Sequence, residues 1–273
     1  MTQGIKRVVV PLDTASETGT AIDTAVRLAA RWRVPLHGIF IEDEELIGLA
    51  GLPFARQVTL STGLEPLTRD HVEDHFRAFA ERVRRELAAV ADRHGVSWLF
   101  EIVRGPLAAN ALGGEDDFVV AGAVTRPIGG HFRIAPRCWS WTATITRPFL
   151  LAQREWEGGG SVFTLLCRRS PQSARTFDIA AQIAAFGGRS LTVAGTPDLV
   201  GSNDFAAWVS GLLEGHSFDL EIEPVAPEPA ALRRAISDLD CRLLVLDATE
   251  QDVGPDDLRE LAEHLACDLL IIR

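Results

Sequence analysis

Apolar positions along the chain fall in short unbroken runs, separated by longer stretches of helical period. Residues 8–12 (VVVPL) form the first run. A short apolar run without alternation marks a strand buried on both faces. An amphipathic stretch over about 16–32 follows, then a second run at 36–41. Beyond residue 67 the pattern predicts a long helix. Thr68 stands at its N-cap, Phe76, Phe79, Val83, Leu87 and Val90 make its apolar stripe, and Gly95 can end it. A shorter helix begins near Pro106 and ends at Gly113 and Gly114. Strand-like runs then recur at 117–121 (DFVVA) and 148–151 (PFLL).

The order of elements repeats. A shift of 155 residues brings the opening pattern onto a run at 163–167 (FTLLC), a helical stretch at 171–186 and a run at 191–194. Asp23/Asp178, Ala25/Ala180, Ala29/Ala184, Ala30/Ala185 and Leu36/Leu191 then coincide without a gap. Later, 242–246 (RLLVL) corresponds to 117–121, and 268–271 (DLLI) to 148–151. Each half reads as strands alternating with helices. This predicts an α/β fold of two tandem doubly wound parallel sheets, five strands each, with right-handed crossovers. The expected domains are 1–152 and 162–273, joined by 153–161 (QREWEGGGS), whose three glycines make a flexible joint. The first half carries a long insertion, 42–67. The second is shorter, with only a brief helix at about 205–213.

Composition narrows the class. A hydrophobic fraction of 47% and a charged fraction of 24% exclude wholesale disorder. No apolar run approaches the roughly 20 residues of a membrane helix, and the opening residues do not form a signal-peptide core. A cytoplasmic protein without a membrane partner is expected. The net charge of −11 repels phosphate backbones, so nucleic acid is not an expected partner. Cys138, Cys167, Cys241 and Cys267 form no C-x-x-C and read as reduced, buried thiols.

The first strand ends in Pro11-Leu12-Asp13, which is similar to the V-P-x-D opening of the universal stress proteins. Residues 49–58 (LAGLPFARQV) resemble a loop of tandem proteobacterial members. Nucleotide-binding members carry G-x2-G-x9-G-[S/T] after the fourth strand and a proline opening the fifth. Counted from Gly122, that proline falls on Pro148. The chain thus resembles the universal stress protein family in its tandem form. The resemblance implies strand order 3-2-1-4-5 in each half and halves meeting through their fifth strands as an internal pseudo-dimer. It also implies an ATP site in which Asp13 contacts the adenosine part.

That motif is degenerate here. Thr125 and Ala135 occupy the second and third glycine positions, and Pro136 the hydroxyl position. Glycines let backbone amides approach phosphates, whereas a proline has no amide hydrogen to donate. In the second half Asp247 replaces the first glycine, an acidic stretch at 249–257 follows, and a 155-residue shift sets Arg168 against Asp13. No nucleotide site is expected there.

Between residues 118 and 154 lie Arg126, Arg133, Arg137, Arg147 and Arg154, with no acid among them. Two readings stand. Arg126, His131, Arg133 and Arg137 can hold a phosphate or carboxylate at the carboxyl ends of the strands. Alternatively, the basic loop neutralises residues 250–268, which carry seven acids and one arginine. Other candidates read more simply. His71 and His75, one turn apart, fit a solvated helix face better than a metal site. Gly129-Gly130 fits a turn, and Trp139 and Trp141 fit an interface. Cys138 lies between Arg137 and Trp139, where positive charge can lower a thiol's pKa, but a structural cysteine is the commoner case. The apolar stretch 46–54 folds back on its domain or meets a partner.

The expected function is that of a non-enzymatic stress-response or regulatory protein with lost or weakened ATP binding. The alternative is a sensor of a nucleotide or other anion in the first half. Its binding set would be Pro11, Asp13, Gly122, Thr125, Arg126, Arg133 and Arg137. No catalytic or metal-ligating residues stand out, and no nucleophile–base pair is visible, so a weak ATPase is the remote third reading. No resident cofactor is expected beyond ATP or another nucleotide in the first half. Expected partners are the chain itself, as pseudo-dimer and as a homodimer of two chains, and a protein the sequence does not identify.

Overall fold

The computed structural model describes residues 4–14, 18–59, 63–105, 114, 116–122, 145–154, 156, 160–188, 190–212, 220–226, 229–239, 241–249, 258 and 267–273. The chain divides into two compact units, residues 1–134 and 135–273.

In the first unit, β1 (Arg7–Leu12), β2 (Leu36–Glu42), β5 (Trp98–Arg104) and β6 (Asp117–Gly122) form a parallel sheet in the order β5-β2-β1-β6. Val8, Val9, Val10, Phe118 and Val119 are fully buried. Their unbroken apolar character follows from a parallel sheet covered on both faces. Helix α1 (Thr18–Trp32) buries Ala21, Ile22, Ala25, Val26, Leu28 and Ala29. It packs beside α3 (Arg69–His94), which buries Val72, Phe76, Ala80, Val83, Leu87 and Ala91. Phe76, Val83 and Leu87 of the predicted stripe are among them, whereas Phe79 and Val90 are half-buried and Val72, Ala80 and Ala91 complete the packed face; the helix ends fall where predicted. Thr68 Oγ1 accepts from His71 N at 3.3 Å, and Gly95 adopts φ 65°. Phe40 of β2 stacks on Phe79 at 5.8 Å and meets Phe76 edge-on at 6.4 Å.

The insertion contains more structure than its sequence suggested. The first part of the stretch read as an apolar connection forms helix α2 (Glu44–Ala50). Asp43 caps it, accepting from Glu45 N at 2.9 Å and Leu46 N at 3.1 Å. A two-stranded antiparallel ribbon follows, β3 (Arg56–Thr59) and β4 (Gly63–Pro66).

The second unit contains β7 (Phe149–Ala152), β8 (Ser161–Leu166), β9 (Ser190–Gly195), β10 (Leu220–Pro224), β11 (Cys241–Asp247) and β12 (Asp268–Ile272). Its order is β10-β9-β8-β11-β12-β7. The first five strands are parallel and trace 3-2-1-4-5 in full. Strand β7 runs antiparallel to β12, with Leu150 opposite Leu270. Helix α4 (Pro171–Gly187) has Ser170 as N-cap and Gly188 at φ 60° as C-cap. Short helices α5 (Pro197–Val200), α6 (Phe205–Leu212) and α7 (Pro229–Asp238) complete the described part.

Strand ladders refine the repeat. Val8 pairs with Leu36 in the first unit, and Val162 with Leu191 in the second. The opening strands therefore correspond at an offset of 154 residues, while β2 and β9 correspond at 155. As a result Cys167, rather than Arg168, is the counterpart of Asp13.

Candidate functional site

The order β5-β2-β1-β6 puts β2 and β6 on opposite sides of β1. Open α/β sheets bind ligands at such a reversal, outside the carboxyl ends of the strands. Pro11 and Leu12 are buried at the end of β1, and Asp13 follows, partly exposed. Arg7 pairs with Asp117 and Val9 with Val119. The same offset sets Leu12 level with Gly122, the last residue of β6. Asp13 and Gly122, 109 positions apart in sequence, thus come to neighbouring strand ends. Helix α1 begins five residues after Asp13, so its amino end is turned to the same edge. A Cβ added to Gly19 in its first turn would lie 3.2 Å from Glu86 Oε1. A carboxylate from α3 thus already stands beside that turn, where helix dipoles favour negative charge. Thr125, Arg126, His131, Arg133, Arg137, Cys138, Trp139 and Trp141 lie outside the described residues.

The equivalent edge of the second unit differs chemically. Asp247 is buried at the end of β11. Its Oδ1 accepts from Thr249 N at 2.9 Å and Thr249 Oγ1 at 2.6 Å. Here a carboxylate fastens its own turn, at a position where a glycine would leave room for phosphate. At the start of α4, Ser170 Oγ accepts from Ser173 N at 3.0 Å and Pro171 contributes no N–H. Part of the anion-attracting character of that helix end is used internally. Arg168 and Arg169 are exposed; Arg169 lies 3.6 Å from Asp204.

A larger polar network lies at the opposite, amino edge of the first sheet. Arg7 donates to both carboxylate oxygens of buried Asp117, at 3.2 and 2.6 Å, and to His37 Nδ1 at 3.2 Å. Gly114 N also donates to Asp117, at 2.6 Å. His37 Nε2 lies 3.4 Å from Glu101. Arginine can only donate, so Nδ1 must accept and the imidazole is neutral with its proton on Nε2. Burial lowers the His37 pKa from its ordinary value, and Arg7 lowers it further, against the opposing effect of Glu101. Six residues of strand, roughly 20 Å, separate this network from the carboxyl edge. Its role is to tie β6, β1, β2 and β5 together.

A pH prediction follows. The unfolded chain protonates His37 near pH 6.5, whereas the folded chain resists protonation to lower pH. The stability contributed by neutral His37 is fully present above about pH 6.5 and is lost as pH falls from there through the lowered folded value. Urea midpoints measured across that window should fall more steeply for the wild type than for His37→Gln.

Other candidates separate clearly. His71 and His75 are exposed on α3; His71 Nδ1 lies 3.3 Å from Gln57 Nε2, and His75 lies beside Phe76 and Phe79. Among the described residues no group of three potential ligands is placed to hold a metal. No described helix is long and apolar enough to cross a membrane. Cys241 and Cys267 are buried, and contact with Cys267 together with burial pushes the Cys241 thiol strongly up. Such a thiol is a poor nucleophile at neutral pH.

No protein-family model matches the sequence, and no curated protein matches it. Solved structures do. A universal stress protein from Archaeoglobus fulgidus DSM 4304 superposes with a TM-score of 0.62 at 12% identity, covering 98% of this chain and 96% of its own. A structure from Pseudomonas aeruginosa UCBPP-PA14, assigned to the universal stress proteins, gives 0.57 at 17% identity, with coverage of 98% and 93%. A functionally unknown protein from Pseudomonas aeruginosa PAO1 gives 0.57 at 17% identity, with coverage of 98% and 92%. The α/β fold is therefore that of the universal stress proteins along almost the whole chain.

Proposed function

We propose that this chain is a tandem universal stress protein with a non-enzymatic, regulatory role and weakened nucleotide binding. The observation that supports this most directly is the contrast between the two carboxyl edges. One keeps Asp13 and Gly122 at adjacent strand ends. The other has a buried carboxylate, Asp247, bound into its own turn where the family's first phosphate glycine would stand. An internal negative charge at that point opposes a polyphosphate. The second unit then serves as a structural counterpart to the first, the two acting as a pseudo-dimer in the cytoplasm.

The sensor reading rests on the first edge. Asp13 and Gly122 flank the sheet reversal, and Arg126, Arg133 and Arg137 supply cations in place of the missing glycines. Calorimetric titration with ATP separates the two readings. Weak or absent heat in the wild type favours the regulatory role. Tight binding that is lost in the double variant Arg133→Ala, Arg137→Ala favours the sensor. ATP turnover abolished by Asp13→Ala would contradict both.

A further inference from the structure

Three cysteines lie among the described residues, and two of them sit together. Cys167 is partly exposed at the carboxyl end of β8, whereas Cys241 and Cys267 are buried at the amino edge of the second sheet, 8% and 2% exposed. Cys241 opens β11, and Cys267 directly precedes β12. Leu243 pairs with Asp268, which sets Arg242 level with Cys267 and Cys241 one residue further along. One strand spacing across and one residue along give a Cα separation of about 6 Å. Disulfides take Cα separations of about 4.4–6.8 Å.

In an unbroken ladder Arg242 would share a face with Cys267, and Cys241 would point to the other face. The strand departs from that pattern through a bulge. Cys241 pairs with Ser161 and Leu243 with Val162, so two residues of β11 stand against one of β8. Arg242 is the extra residue. It packs over Gly160, where an added Cβ would overlap Arg242 Cγ and where φ is 81°. A bulge re-aims the side chains beside it. Cys241 meets Cys267 here, the two thiols in hydrogen-bonding contact.

We propose that Cys241 and Cys267 are a redox pair that a peroxide converts to a disulfide, locking β11 to β12. Cys241, with the larger exposed surface, meets the peroxide first. Its sulfur attacks one peroxide oxygen, the O–O bond breaks, and a sulfenic acid and one water form. The Cys267 sulfur then attacks the Cys241 sulfur; the S–O bond breaks, the S–S bond forms and a second water leaves. The two thiols give up two electrons and two protons, and the peroxide takes both. Contact with Cys267 and burial keep Cys241 a thiol at neutral pH, so oxidation is slow and quickens as pH rises.

The lock falls on an anchor point of the second unit. Cys267 O accepts from Gln153 Nε2 at 2.7 Å, and Asp268 beside it accepts from Gln153 N and from Trp156 Nε1. The cross-link thus fixes the residues that hold the chain leaving β7. It also closes a loop of about 25 residues, which restricts the unfolded chain and stabilises the folded one. Asp13 and Gly122 belong to the other unit and take no part, so the switch is independent of nucleotide binding.

The test is to treat the folded full chain with hydrogen peroxide, without nucleotide, alkylate the remaining thiols and digest with trypsin under non-reducing conditions. Peptides 235–242 and 260–273 should emerge joined, and dithiothreitol should separate them. The oxidised chain should unfold at a higher urea midpoint than the reduced chain. Cys241→Ser and Cys267→Ser should each abolish both the joined peptides and the rise in midpoint, whereas Cys167→Ser should keep both. Two peptides that emerge singly from fully oxidised wild type overturn the proposal, whatever the variants do. So does a joined pair that leaves the midpoint unchanged or lowers it.

Discussion

Replacing Asp268 by alanine should cost the second unit about 3 kcal/mol, because it leaves a buried indole N–H and two part-buried backbone amides without an acceptor. Asp268 is 2% exposed at the start of β12. Its Oδ1 accepts from Gln153 N at 2.7 Å and Arg154 N at 3.2 Å, and its Oδ2 accepts from Trp156 Nε1 at 2.5 Å. Gln153 Nε2 adds a bond to Cys267 O at 2.7 Å. Trp156 is itself buried and packs 6.1 Å from Phe186. One carboxylate thus fixes the chain as it leaves β7. Its removal frees the backbone of 153 and 154 and strands a buried indole N–H. The measurement is the urea midpoint, with unchanged slope indicating a loss of stability alone. Asp268→Asn keeps one acceptor oxygen and should lose less than Asp268→Ala.

A loss of similar size is expected for Gly38→Val, from excess volume. A Cβ at position 38 would lie 2.6 Å from Leu87 Cδ1 and 3.0 Å from Phe100 Cδ2. Leu87 is fully buried and β2 is paired on both sides, so the nearer neighbour has no space to yield, while half-buried Phe100 has some. Overpacking of this kind costs about 1–3 kcal/mol, and a β-branched side chain belongs at the upper end. Here glycine is required by the approach of α3 to β2 and β5, since its backbone angles are those of an ordinary strand. Thermal melting should show a lower midpoint for Gly38→Val than for Gly38→Ala, with both below the wild type.

Much of the fold was legible in the sequence because its signals are local. Thr68 and Gly95 bracket α3, and Ser170-Pro171 opens α4, each through capping chemistry carried by a few adjacent residues. Buried strands betrayed themselves by length and apolarity. Helix α2 was missed although Asp43-Glu44-Glu45 combines an N-cap with an acidic first turn; the apolar residues after it suggested a connection. The ribbon was missed because Val58 and Leu64 face outward, so apolarity there does not report burial. Gly63, at φ 80°, was the available turn signal. The one-residue slip between β1 and β8 was invisible because VVVPL and FTLLC carry no register mark, and only their pairing with β2 and β9 supplies one.

The same distinction runs through the candidate site. Asp13 and Gly122 could be named from spacing, since each sits at the end of an apolar run. The Arg7–Asp117–His37–Glu101 network could not, because its members come from four strands and each looks ordinary alone. Trp156 sat in a stretch read as a joint, and its tie to Asp268 spans 112 residues. Asp247 was visible as a replacement for glycine, but only the bonds to Thr249 reveal what the carboxylate does.

The most direct test of weakened nucleotide binding is to purify the protein without added ligand, denature it, and identify the released small molecules by mass spectrometry. The expected result is no nucleotide approaching one per chain. A stoichiometric nucleotide would contradict the regulatory reading and show that other groups have replaced the lost glycines.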